Sequence, residues 1–350
     1  MRNLIGLSDM PLQWWDSLYS RCRDIIARPG DYADTCRGKI LATLFYEPST
    51  RTNFSFQAAM LRLGGNVFGF SDPMGSSVSK GETIADTIRI AAAYSDTIVI
   101  RNPREGAAAA AAMYSDVPVI NAGDGSHFHP TQTLADLATI AQKRGEIGNV
   151  RVGFCGDLKY GRTVHSLTEA LAHFPGVSFY LISPQELRLP EYTKGIMRAH
   201  GQDYIEMSSL ADAIPDLDIL YMTRIQRERF TDAGEYERLK DVYVLTKDML
   251  ASARADMLVM HPLPRYGEIA TDVDADPRAV YFEQARYGMF IRMALLLEFS
   301  HLPRQSPPPP SATSDAKCSN PACVTISEPY LPHRPAATDP ARCWYCDKPL

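Results

Sequence analysis

Residues Leu41–Phe56 read LATLFYEPSTRTNFSF, and the change of pattern at their centre sets the fold. The run Ile40–Tyr46 is apolar enough for a buried strand, whereas Phe54, Ala58, Met60 and Leu61 recur at helical spacing behind a Ser/Thr-rich junction. A strand, a tight loop and a helix start therefore follow one another. The junction holds Ser49, Thr50, Arg51 and Thr52. A helix N-terminus exposes unpaired N–H groups and carries partial positive charge, so three hydroxyls and a guanidinium placed there suit a phosphate. The competing reading is an ordinary N-cap, with a Ser or Thr closing the helix end.

The alternation continues outward from this stretch. Strand candidates Lys39–Tyr46, Asn66–Phe70, Thr97–Arg101 and Pro118–Asn121 alternate with helical patterns, the signature of a parallel α/β sheet. A second series, Val150–Gly156, Val177–Ile182, Ile219–Thr223, Tyr243–Thr246 and Leu258–His261, predicts another α/β unit. A helix over Pro130–Arg144, ending near Gly145, joins the two, and a late helix over Tyr287–Phe299 is expected to pack back on the first domain. The six alanines Ala107–Ala112 predict a tightly packed helix.

At 350 residues, 45% hydrophobic and 22% charged, the chain suits two domains with substantial cores and excludes extensive disorder. A net charge of −5 argues against a nucleic-acid binder held by a broad basic surface, so any basic site must be local. No apolar run is long enough to span a bilayer, and MRNLIGLSDM lacks the apolar core of a signal peptide. A cytoplasmic location is the expectation.

After Leu302 the composition shifts to PRQSPPPPSATSD, which reads as a linker. Polyproline extends by roughly 3 Å per residue, enough for the segment beyond it to reach a neighbouring subunit. That segment holds four of the seven cysteines: Cys318-x4-Cys323, then nineteen residues, then Cys343-x2-Cys346. In a reducing compartment two short-spaced pairs favour a tetrahedral Zn2+ site with four thiolate corners. Unpaired surface thiols, a disulfide pair, or His333 as a substitute ligand are the alternatives. Cys22, Cys36 and Cys155 stand alone and read as reduced, partly buried thiols.

Seven separated segments, FYEPSTRT, SSVSKGETIADT, IVIRNPREG, NAGDGSHFHPTQTLADL, GDLKYGRTVHSL, YMTRIQRER and HPLPR, occur in one order over residues 1 to 300. The series resembles the catalytic chains of aspartate carbamoyltransferases, and CSNPACVTISEP with CWYCDK resembles the zinc domain of that family's regulatory chain. The resemblance implies a carbamoyl-phosphate-binding domain over 1–145, an aspartate-binding domain over 146–302, a Pro-rich linker over 303–316 and a zinc module over 317–350. It implies a homotrimer with shared active sites, a higher assembly through the tail, and no catalytic cofactor. The implied reaction is the committed step of de novo pyrimidine biosynthesis, in which the amine of L-aspartate attacks carbamoyl phosphate and releases phosphate.

By the same resemblance Ser49, Thr50, Arg51 and Thr52 hold the phosphate, with Thr52 also near the carbonyl oxygen. Arg101 bridges phosphate and carbonyl, and His129 donates to the carbonyl oxygen. Gln132 meets the carbamoyl amino group, as do the backbone carbonyls of Leu263 and Pro264. Arg162, Arg224 and Gln226 bind the two carboxylates of aspartate, while Ser77 and Lys80 ride a mobile loop that enters the adjacent subunit's site. Ser76 substitutes for Ser77 if the alignment slips by one. Bland readings compete: His129 as a loop residue, Lys80 as a solvated charge, Arg162 in a structural ion pair. His261 is expected to order its loop, and GFCGDLKYG lacks the spacing of a dinucleotide loop.

One departure stands out: the family usually has arginine after STRT, where this chain has Asn53. The expectation is weakened packing or altered affinity with the reaction class retained. Ornithine carbamoyltransferase is the nearest rival, but MTRIQ and HPLP stand here in place of the SMG and HCLP of ornithine binders. A non-catalytic, zinc-tailed assembly protein of the same fold is the rival from another class.

Overall fold

The computed structural model describes residues 2–8, 10–225, 233–239, 242–307, 313–337 and 339–350. They form two compact units, Met1–Thr131 with Met289–Leu350, and Gln132–Gly288. The first unit contains α1 (Leu12–Ala27), β1 (Ile40–Phe45), α2 (Thr50–Arg62), β2 (Asn66–Phe70), α3 (Ile84–Tyr94), β3 (Thr97–Asn102), α4 (Ala107–Ala112) and β4 (Val119–Asp124). Its four strands run parallel in the order β2-β1-β3-β4. Helical crossovers cover both faces of a parallel sheet, so β1, β3 and β4 are buried along nearly their whole length and read as apolar runs.

Helix α5 (Pro130–Arg144) leads into the second unit. There follow β5 (Arg151–Cys155), α6 (Arg162–Ala172), β6 (Ser178–Ile182), α7 (Glu191–Ala199), β7 (Asp203–Met207), α8 (Leu210–Ala213), β8 (Ile219–Met222), α9 (Ala233–Leu239) and β9 (Leu258–Met260). These five strands are also parallel, in the order β7-β6-β5-β8-β9. Helix α10 (Tyr281–Phe299) carries the chain back into the first unit.

Two expectations need correction and three features are new. The segment Tyr243–Thr246 is no strand; only Leu245 forms a bridge, with Ile269, and the run is apolar because Tyr243 and Leu245 are buried. Helix α10 starts at Tyr281, six residues before the expected Tyr287. Strand β7 and helix α1 were not anticipated. On α2 the face carrying Phe54 and Leu61 points outward, 64% and 60% exposed, while Phe56, Ala59 and Met60 fill the core.

The tail belongs to the first unit and docks on its own chain. Cys318, Cys323, Val324, Leu331, Cys343, Tyr345 and Cys346 share one buried cluster with the alanines of α4, whose small side chains let the tail backbone come close. The Glu105 backbone donates to the Ala322 carbonyl at 3.0 Å and accepts from Val324 N–H at 2.9 Å. Glu105 Oε2 also accepts from the Asn320 amide at 2.8 Å. A short helix α11 (Val324–Ser327) follows. Glu328 and the Tyr330 hydroxyl then accept the N–H groups of Ile84 and Ala85 at the start of α3, at 3.3 and 3.0 Å, satisfying donors that every helix start leaves open. No helix among the described residues is long and apolar enough to cross a membrane.

Candidate active site and candidate metal centre

In an open parallel sheet the loops leaving the carboxyl ends of neighbouring strands part company where the strand order reverses, and ligands bind there. In the first unit that point lies between β1 and β3. Phe45 pairs with Arg101 across it, and Tyr46 N–H donates to the Arg101 carbonyl at 2.8 Å. The STRT junction leaves β1 on this edge. Ser49 caps α2 in position, but its side chain makes no capping hydrogen bond, so the ordinary N-cap reading fails for that hydroxyl. Thr52 is buried, whereas Thr50 and Arg51 are exposed.

Arg101 is half-buried, pairs with Glu47 and donates to the Ala122 carbonyl at 3.3 Å. Burial lowers its guanidinium pKa, Glu47 opposes that shift, and the positive charge of Arg51 lowers it further. Burial lowers Arg51 as well. Two guanidiniums thus crowd one strand edge, and their charge is best relieved by an anion.

The β4–α5 loop brings His127 and His129 to the same end of the sheet. His129 is buried directly before Pro130, the first residue of α5. Ser77 and Lys80 are exposed on a one-turn 3-10 segment between β2 and α3. Ser76 is used within that turn: its hydroxyl accepts from Val78 N–H at 3.3 Å and donates to the Pro73 carbonyl at 2.8 Å.

In the second unit the strand order reverses between β5 and β8, and Arg162 and Arg224 lie on the segments that leave these two strands. Both are half-buried, Arg162 as the first residue of α6. Gly156, at φ 120°, lets the two exits approach, since a Cβ there would sit 2.4 Å from the Thr223 carbonyl oxygen. Gln226 lies outside the described residues.

The loop after β9 is organised by His261. Its Nδ1 accepts Leu263 N–H at 2.8 Å, which places the ring proton on Nε2 to donate to Glu268 Oε1 at 2.7 Å. Burial alone would raise the Glu268 pKa, but the hydrogen bond from His261 and the N–H of Tyr266 outweigh it and hold the carboxyl low. Leu263 sits in the left-handed region at φ 51°, and the bond that joins it to Pro264 is cis.

Sequence reading missed the groups that hold these side chains. Gln132 donates to Asp136, which also receives Gln284 and the Tyr221 hydroxyl. Gln284 accepts His261 N–H at 3.0 Å, so Gln132 and the β9 loop share one buried network. The i, i+4 spacing of Gln132 and Asp136 on a helix was a readable signal. Gln284, far away in sequence, left none.

The four tail cysteines are buried free thiols whose sulfurs all lie within 4.8 Å of one another. Cys318 and Cys346 are 3.5 Å apart, and Cys323 and Cys343 3.9 Å. A disulfide needs about 2 Å, whereas ligands at about 2.3 Å from a tetrahedral ion lie about 3.8 Å apart. The spacing is that of a cluster able to hold a metal, and His333 is not in it. Hydrogen bonds from Cys343 and Cys346 drive Cys323 toward thiolate, while the same bonds keep Cys343 protonated. Deprotonation of all four at this spacing would call for a shared cation. By contrast, burial pushes Cys22 up to about 12 and Cys36 to about 11, which removes both as nucleophiles.

The carbamoyl-P binding domain of aspartate/ornithine carbamoyltransferases matches residues 2–142, and the Asp/Orn binding domain matches residues 148–299. The aspartate carbamoyltransferase catalytic subunit of Clostridium botulinum is 55% identical over 296 residues, 84% of this chain and 96% of that protein. The Clostridium novyi catalytic subunit is 56% identical over 295 residues, again 84% and 96% of the two chains. Among solved structures, the catalytic subunit of M. jannaschii aspartate transcarbamoylase superposes with a TM-score of 0.80 at 47% identity, covering 85% of this chain and 98% of that one. The Trypanosoma cruzi enzyme in complex with carbamoyl aspartate and phosphate gives 0.79 at 37% identity, covering 85% and 95%. With both halves of the family matched in order, the chain belongs to the aspartate carbamoyltransferases, as a transferase of the catalytic-subunit type.

Proposed function

We propose that the first unit binds carbamoyl phosphate, the second binds L-aspartate, and the chain transfers the carbamoyl group between them. The observation that carries this reading is the crowding of Arg51 and Arg101 beside STRT at the switch point of the first sheet. The T. cruzi neighbours, solved with carbamoyl aspartate and phosphate or with carbamoyl phosphate and aspartate, support it. Ser49, Thr50, Arg51 and Thr52 hold the phosphate, and Arg101 spans phosphate and carbonyl. Gln132 and the carbonyls of Leu263 and Pro264 take the carbamoyl amino group. Arg162, Arg224 and Gln226 take the two carboxylates, where planar guanidinium groups give two-point recognition.

The aspartate amine attacks the carbonyl carbon, and negative charge gathers on the carbonyl oxygen of a tetrahedral intermediate. His129, Arg101 and Thr52 donate to that oxygen, and such fixed donors strengthen as charge develops. The bond to phosphate then breaks, its electron pair leaves with an anion already held by the cradle, and the proton lost by the attacking amine departs with that phosphate. No covalent enzyme intermediate is required, so positioning supplies most of the acceleration.

Domain roles follow, with carbamoyl phosphate on 1–145, aspartate on 146–302, a linker over 303–316 and a metal module over 317–350. Zn2+ suits the four-sulfur set, and a site closed by four protein ligands leaves no position for chemistry, so the metal serves folding and docking. A homotrimer is proposed in which Ser77 and Lys80 complete a neighbour's site. The outward Phe54, Leu61 and Met74 support such an apolar contact. Seven free thiols support a reducing, cytoplasmic setting.

The test is formation of carbamoyl aspartate by the purified chain. Turnover of ornithine instead of aspartate, or of neither, would overturn the reading. Native mass spectrometry reports subunit count and zinc stoichiometry together, and deletion of residues 303–350 shows whether the tail affects assembly or aspartate saturation.

A further inference from the structure

We propose that Asp347, in the tail, is a positioning residue for the β4–α5 loop that carries His129, acting through His127. The inference rests on the proposed catalytic role of His129. Asp347 Oδ2 lies 2.9 Å from His127 Nε2, and the other ring nitrogen lies 3.1 Å from Asp124 Oδ2. Both nitrogens face carboxylates, so both donate, and the ring is held as an imidazolium with its side chain only 8% exposed.

Asp124 passes the constraint along the loop. Its Oδ1 accepts Phe128 N–H at 2.9 Å and the Asn121 amide at 3.0 Å, while Oδ2 accepts Gly106 N–H at 2.8 Å. Phe128 lies against the His127 ring, with centroids 3.7 Å apart, and His129 is the next residue. The imidazolium therefore ties the end of β4 to the tail two residues before His129.

The other end of the row is equally fixed. Asp347 directly follows Cys346, and its N–H donates to the Cys343 carbonyl at 2.9 Å. It adopts φ 56°, a left-handed conformation that costs a non-glycine residue some stability. Its only hydrogen bond to the body of the first unit is the one to His127 among those described. A residue retained for local folding alone would be better as glycine; this one carries a carboxylate to the loop.

That contrast supplies the test. Asp347→Gly relieves the backbone and leaves all four cysteines, so the full-length variant should keep its zinc content and melting temperature. It should nevertheless lose about tenfold in kcat, the scale expected when a catalytic group is misplaced by a fraction of an ångström, with a smaller change in the KM for aspartate. Asp347→Asn, which keeps an acceptor for His127, should recover most of the rate. Parental kcat in Asp347→Gly, a kcat that falls only in step with zinc loss, or no rescue by asparagine would each overturn the inference. His129→Ala reports separately: if it retains parental activity, the underlying reading of the site has failed instead.

Discussion

Gln132 donates its side-chain amide to Asp136 Oδ1 at 2.7 Å. The Gln284 amide reaches the same oxygen at 2.7 Å, and the Tyr221 hydroxyl reaches the other at 2.9 Å. Burial, and then Asp136, raise the Tyr221 pKa well above its usual value, so its hydroxyl stays a donor. One buried carboxylate thereby sets the side chain proposed to meet the carbamoyl group. Asp136→Asn presents an amide where three donors converge and leaves at least one without an acceptor. The expected result is a loss of about 1–3 kcal/mol in stability together with a lower kcat, measured by denaturant titration and steady-state assay. Full stability with parental kcat would remove Asp136 from this role.

Glu268 gives the second unit a pH-dependent contribution. Its carboxyl titrates below the usual value in the folded chain despite burial. A depressed folded pKa means that the unfolded chain binds the proton first on acidification. The stabilisation is therefore complete above the unfolded value near 4.5 and fades as pH falls through the lower folded value. Glu268→Gln should cost about 1.5–3 kcal/mol at neutral pH, the scale of a hydrogen bond to a charged group. It should also flatten the acid side of a melting-temperature profile. A parallel downward shift at every pH would show that packing, not charge, is lost.

What was legible in the sequence was what repeats locally. Buried parallel strands such as β1 and β6 announce themselves as short apolar runs because both of their faces are covered. Strand β7, DYIEM, lies at a sheet edge with mostly exposed residues and gave no such run. Helix α1 could have been found: Trp15, Leu18, Cys22 and Ile25 follow a spacing of three or four residues, and all are buried. On α2 the helical period was legible but not its inward face, since Phe54 and Leu61 repeat as regularly as the residues that face inward. Substrate-site candidates were visible because their motifs are contiguous. Gln284 and Asp347 were not, because each acts on a residue far from it in sequence, while Asp136 left only its i, i+4 spacing from Gln132.

The docked tail depends on one backbone position. Gly106 is left-handed at φ 83°, and a Cβ there would sit 2.4 Å from the Tyr345 carbonyl oxygen. Gly106→Ala therefore meets two penalties at once: an unfavourable φ, costing about 1 kcal/mol, and a clash with backbone that cannot swing aside. The tail should separate from α4 while its four cysteines keep the metal proposed for them. Limited proteolysis should show faster cleavage within 303–316, with zinc stoichiometry unchanged. Parental cleavage rates would mean that the tail backbone can yield at Tyr345.

Asn53 tests how the proposed phosphate cradle tolerates an arginine at this position. It lies in the first turn of α2, 5% exposed, with its N–H on the Ser49 carbonyl at 3.0 Å and its Oδ1 accepting from Gln57 at 3.0 Å. Asn53→Arg removes the acceptor from Gln57 and places a longer side chain in a filled space, which costs about 1–3 kcal/mol. The same change adds a third guanidinium near Arg51 and Arg101, favouring an anion by about 0.5–1 kcal/mol at a partly exposed site. The two effects act on different observables. The melting temperature should fall while the KM for carbamoyl phosphate drops about two- to fivefold at low salt, a gain that added salt erodes. An unchanged KM would show that position 53 shapes the helix end without touching the charge felt by the phosphate.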